Sequence, residues 1–116
     1  DGAVQSFAGL NLASIDILDA TTSVTFNNDL TATGAINVNS GGSIILTGSI
    51  TAGTNVDFDA NTTIGLTGSI TVSGTVSIDS TGITTVAATG DINAGGAVTF
   101  GAAKAGTLTT AGDIDT

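Results

Sequence analysis

The hexapeptide LTGSIT occurs at residues 46–51 and again, one short period later, at 66–71. A unit that short cannot enclose a core of its own. Recurrence at such a period therefore points to coils that bury their apolar residues only by stacking on one another. A wider pattern, a small or acidic residue, then Ile, then a polar residue, recurs at Ile15, Ile36, Ile50, Ile70, Ile92 and Ile114. The steps are similar except for the one from Ile36 to Ile50, which is clearly shorter.

A second ladder pairs Val24 with Phe26, Val56 with Phe58, Val76 with Ile78 and Val98 with Phe100. From Ile50, Ile70 and Ile92 the step to the next Val is the same each time, to Val56, Val76 and Val98. A weaker third rung covers residues 28–33, 63–67, 83–86 and 107–110. Gly, Asn, Asp and Ser separate the rungs, so each coil reads as three short strands with turns between them. Alternation such as Val56, Asp57, Phe58, Asp59 turns one strand face inward and the other to water. Equivalent residues would then stack at the spacing of neighbouring strands.

These patterns predict an all-β chain folded as a parallel β-solenoid of about six coils, with one short coil between Ile36 and Ile50. At a strand spacing of about 4.8 Å six coils measure roughly 29 Å. Residues 1–116 read as a single solenoid segment. A pilin-like β-sandwich is the alternative, but its strands need not repeat in sequence, so the ladder favours the solenoid.

Composition agrees. Glu, Met and Pro are absent, the only aromatics are four Phe, and Gly, Thr, Ser, Val, Ile and Asn dominate. Ten Asp against the single Lys104 give a net charge of −9, which repels phosphate backbones and anionic lipid. Nucleic acid is therefore not an expected partner. No run of eighteen apolar residues exists, so membrane insertion by a helix is not expected either.

Residues 112–116, GDIDT, followed by residues 1–4, DGAV, would match GDINAGGAV at 90–98 in six of nine places. Counting from Ile114 across that junction to Val4 gives the same step as from Ile92 to Val98. No capping helix or polar terminal coil is readable, and the first residue is Asp with no signal peptide, as in a trimmed or excerpted product. The expected partner is therefore the chain itself, head to tail, in one segment of a longer fibre.

The coil length, the phrases GDINAGG at 90–96 and AGTLTTAGDI at 105–114, and the Thr/Gly/Asn-rich alphabet resemble the β-helical repeat regions of filamentous-haemagglutinin-like exoproteins, autotransporter passengers and other giant bacterial adhesins. The resemblance implies an extracellular or cell-surface rod serving adhesion, matrix or spacing, with surface glycans as possible partners. No motif matches a binding site of that family, so no functional residue carries over.

No His, Arg, Tyr, Cys or Glu is present to act as base, acid or electrophile, so an enzyme is not expected. No catalytic, cofactor-binding or metal-binding residue is assigned. Asp59 with Asp79, and Asp91 with Asp113, fall one coil apart and are expected to stack. Carboxylates about 5 Å apart repel by around 1 kcal/mol in water. Ca²⁺ would relieve that, with Asp57 as an added ligand, although the GGxGxD repeat of calcium-binding solenoids is absent. Otherwise the Asp residues serve solubility and discourage lateral sheet pairing. Thr31 with Thr33 and Thr107 with Thr109 resemble the Thr arrays of ice-binding solenoids, but residues 63–67 and 83–86 interrupt them, so a solvated strand face is expected. A carbohydrate- or ice-binding module is thus the alternative function. Lys104, within GAAKAG, reads as an exposed loop tip. A covalent bond from it to Asn or Asp would need a buried acid. Residues 61–63, NTT, form a glycosylation sequon.

Overall fold

The computed structural model describes residues 4–7, 11–20, 22–101, 104 and 106–116. Alternating β-branched and polar residues form short strands that turn at Gly, Asn and Asp. The first turn holds β1 (Val4–Phe7), β2 (Asn11–Leu12) and β3 (Ile15–Ala20), and the second β4 (Ser23–Phe26), β5 (Leu30–Ala32) and β6 (Ile36–Ser40). The third holds β7 (Ser43–Leu46), β8 (Ile50–Ala52) and β9 (Val56–Ala60), and the fourth β10 (Ile64–Leu66), β11 (Ile70–Val72) and β12 (Val76–Ser80). The fifth comprises β13 (Ile83–Val86), β14 (Ile92–Ala94) and β15 (Val98–Phe100), and β16 (Thr107–Thr110) and β17 (Ile114–Asp115) lie beyond it.

Every third strand stacks. Sheet I runs β1-β4-β7-β10-β13-β16, sheet II runs β2-β5-β8-β11-β14-β17, and sheet III runs β3-β6-β9-β12-β15. All neighbours pair in parallel. The chain is a parallel β-solenoid of about five full turns rather than six, and the parallel pairing excludes the antiparallel sandwich.

Register makes the core a set of columns. Sheet I contributes Val24, Ile44, Ile64 and Thr84, and Phe26, Leu46, Leu66 and Val86. Sheet II contributes Leu30, Ile50, Ile70, Ile92 and Ile114. Sheet III contributes Ile15, Ile36, Val56, Val76 and Val98, with Ile17, Val38, Phe58, Ile78 and Phe100 beside them. Phe26 and Phe58 meet across the interior with ring centroids 6.1 Å apart and planes within 7°. The inward-facing Thr84 is satisfied because its hydroxyl lies 3.0 Å from that of Ser80.

Three expectations are corrected. Ile15 and Ile36 belong to the Val column of sheet III, and Leu30 takes the place in the Ile column of sheet II. Val24 and Phe26 belong to sheet I. The short coil between Ile36 and Ile50 disappears with this reassignment, since that interval runs from sheet III to sheet II. Through the middle turns the columns advance by one constant step, from Ile44 to Ile64, from Ile50 to Ile70 and from Val56 to Val76. The step from Ile15 to Ile36 is one residue longer for a local cause, a register shift after Ile17 that leaves Leu18 74 % exposed. Finally, the step that leads from Ile92 to Val98 runs from sheet II to sheet III, whereas Val4 sits in sheet I beside Ser23. The match across the junction is thus to a strand of a different sheet.

Backbone bonds continue into the corners. Thr47, Thr67, Ala87 and Ala111 each donate to the carbonyl at the end of the sheet I strand one turn earlier, at 2.8–2.9 Å. At the entry to sheets II and III, side chains take over. Asp29 accepts from the Ser49 amide at 2.8 Å, Asn55 from Thr75 at 3.1 Å and Asp91 from Asp113 at 3.1 Å.

Candidate functional site

Polar chemistry concentrates on the outer face of sheet III. Strand alternation brings Asp16, Asn37, Asp57 and Ser77 into one outward column, and Asn39, Asp59 and Asp79, the last of them buried, into the next. Asn37 Nδ2 donates to Asp16 Oδ1 at 3.0 Å, an amide interposed between carboxylates. A shallow depression lined by Leu18, Asn37, Val38, Asn39, Asp57 and Asp59 lies over these columns.

Asp59 and Asp79 are direct neighbours in the ladder, as expected from their spacing. The charge is offset by an ammonium. Lys104 Nζ forms an ion pair with Asp59 Oδ1, donates to Asn61 Oδ1 at 2.8 Å and to the Ala60 carbonyl at 3.2 Å. The Lys104 side chain is only 20 % exposed. The expectation of an exposed loop tip is therefore corrected. Gly101, with φ 67°, turns the chain after β15, and the ammonium finds three acceptors at the end of β9, two turns back.

Partial burial raises the Asp57 carboxyl above its ordinary value near 3.8; a Ser77 hydrogen bond counteracts this, and the Asp59 and Asp79 charges add to it. A raised folded-state value means that the folded chain binds the proton more tightly than the unfolded one. Asp57 therefore destabilises the fold increasingly as pH rises above 3.8 through the raised value. Asp57→Asn is expected to be more stable than the parent at pH about 7, the gap closing as pH falls towards about 4. Urea unfolding of both chains across that range is the measurement, and equal stability at neutral pH would count against the assignment.

Asp91 and Asp113 are also neighbours, but Asp91 serves as the corner acceptor for the Asp113 amide. Among the described residues no three His, Cys, Asp or Glu side chains converge where a metal ion could be held. Thr31, Thr51 and Thr71 do align as an exposed column on sheet II, continued by Asn93 and Asp115. The expected interruptions at 63–67 and 83–86 lie on sheet I, where they break the rung of Thr107 and Thr109 in β16, whereas the Thr31 column stands on a different face. Asn61 of the sequon is exposed at the corner after β9, where its side chain meets Lys104.

Fold and surface together define a parallel β-solenoid with one acidic face and a single tethering lysine. No protein-family model, curated protein or solved structure matches the chain.

Proposed function

We propose that the chain is a structural component of an extracellular filament or of the rod of a giant adhesin, extended by end-to-end continuation of its coils. The observation that carries this reading is the face made by β15, β16 and β17. Leu108 is 40 % exposed there, and Val98, Phe100 and Ile114 are only half-buried, whereas Ile64, Ile70, Val76 and Ile78 in the same columns are at most 1 % exposed. Each of these three strands has a ladder partner on one side only among the described residues. An apolar core section rimmed by unpaired strand edges is a surface that another β-coil completes. The acidic outer face disfavours lateral association of rods, which leaves axial growth. Placement at the cell surface rests on the resemblance to β-helical exoproteins.

The test is electron microscopy of the purified chain with light scattering on the same sample. Rods with an axial repeat of roughly 24–29 Å, five to six turns at about 4.8 Å each, or a multiple of it, are expected. Leu108→Asp should shorten or abolish them while leaving the strand signal in circular dichroism intact. Monomers at all concentrations would sink the proposal.

A further inference from the structure

We infer that Lys104 and Asn61 form an intramolecular amide cross-link, with Asp59 moving the protons. Three features converge on one nitrogen. Lys104 Nζ stands beside the Asn61 carboxamide, 2.8 Å from its Oδ1. The same nitrogen is ion-paired with Asp59, whose Oδ1 is screened from solvent and meets no other donor among the described residues. Asn61 is also held from both sides. Its main-chain N–H donates to the Ser40 carbonyl at 2.9 Å, and its main-chain carbonyl accepts from the Thr81 hydroxyl. The corner that carries Asp59 and Asn61 is thus fixed by the coil stack and the Lys104 ammonium is seated against it, an arrangement from which an intramolecular reaction gains.

The steps balance within these three side chains. Asp59 takes a proton from the Lys104 ammonium, and the freed amine attacks Asn61 Cγ. A carbon–nitrogen bond forms as the carbonyl electron pair moves to Oδ1. Asp59 passes its proton to Nδ2 and takes one from the newly bonded nitrogen. Collapse of the intermediate restores the carbonyl and breaks the bond to Nδ2, which leaves as ammonia. Ammonia carries off the last proton as ammonium, and Asp59 is again a carboxylate. No oxidant, metal or cofactor enters. The corner at the end of β9 becomes bonded to the connection between β15 and β16, so that the fourth and fifth turns lie within a covalent ring.

Lys104 is the only Lys or Arg in the chain, which makes the test direct. The wild-type chain is denatured, weighed intact by mass spectrometry and digested with trypsin. The expected mass is that of the sequence less one ammonia. Because an acylated lysine is not cut, the denatured chain should resist trypsin, and fragmentation should show residues 61 and 104 joined. Asp59→Asn, weighed and digested in the same way, should show its full mass and a single cut. Full mass with a clean cut in the wild type overturns the proposal. So does loss of water in place of ammonia, which would make Asp59 the acyl donor. Loss of ammonia with the cut retained also overturns it, since that marks a cyclic imide at an Asn. A cross-link that persists in Asp59→Asn overturns the role given to Asp59.

Discussion

Phe58→Ala is expected to lower the unfolding free energy by about 3–5 kcal/mol, a large share of the stability of a chain this size. Phe58 has no exposed surface, stacks on Phe26 across the interior, and lies between Val38 and Ile78 in its column. Those column neighbours are held at the strand spacing by ladder hydrogen bonds on both sides, so the walls cannot close over the space that the ring leaves. Phe58→Leu, which keeps much of the volume, should cost less than about 1.5 kcal/mol. Ile45→Ala is the control, because Ile45 faces outward at 42 % exposure and should change stability by no more than about 0.5 kcal/mol. Urea denaturation followed by circular dichroism gives all three values. A Phe58→Ala chain no weaker than Ile45→Ala would mean that the interior is not packed as described.

Two nearby glycines should respond in opposite directions. Gly68, buried at the corner between sheets I and II, lies against the previous turn, where an added Cβ would overlap the Gly48 carbonyl and come within 2.8 Å of that of Thr47. Both obstacles are backbone and are fixed by the ladder. Gly68→Val is therefore expected to cost about 3 kcal/mol. Gly65 is the outward-facing middle residue of β10, between Ile45 and Thr85 in the ladder, and no atom lies within 4 Å of a Cβ added there. Gly65→Thr should raise stability by about 0.5–1 kcal/mol by removing a flexible residue from a strand and adding a β-branched one. Melting curves of the two variants beside the parent decide the point, and a destabilised Gly65→Thr would contradict the open face drawn for sheet I.

The architecture was legible because burial leaves a periodic trace. Stacked coils require like residues at like positions, and the return of LTGSIT at 66–71 after 46–51 records that requirement. Assignment of individual strands to sheets was less legible. Sheets II and III both use an inward β-branched residue followed by a polar one, so Ile36 before Asn37 looks like Ile50 before Thr51. Only the lengths of the corners distinguish them, and the register shift in β3 altered one of those lengths. Asp59 and Asp79 were found from spacing alone, since one coil period separates them. The role of Asp29, Asn55 and Asp91 as corner acceptors was missed, although each stands directly before an inward-facing Leu, Val or Ile, a placement that could have revealed it. The position of Lys104 left no such trace. Its contacts with Asp59 and Asn61 are made across two turns, by a connection of small residues with no periodicity.

The ladder bonds that join successive turns run along the solenoid axis, so a pull on the rod loads them directly. The chain from Ile50 to its column neighbour Ile70 makes up one middle turn. Extended, that much chain spans about 66–72 Å, yet one turn adds only about 4.8 Å to the rod. A turn that tears open therefore releases more than ten times the length it contributed. In the proposed fibre, each coil outside the cross-linked turns would then hold a hidden reserve of tether.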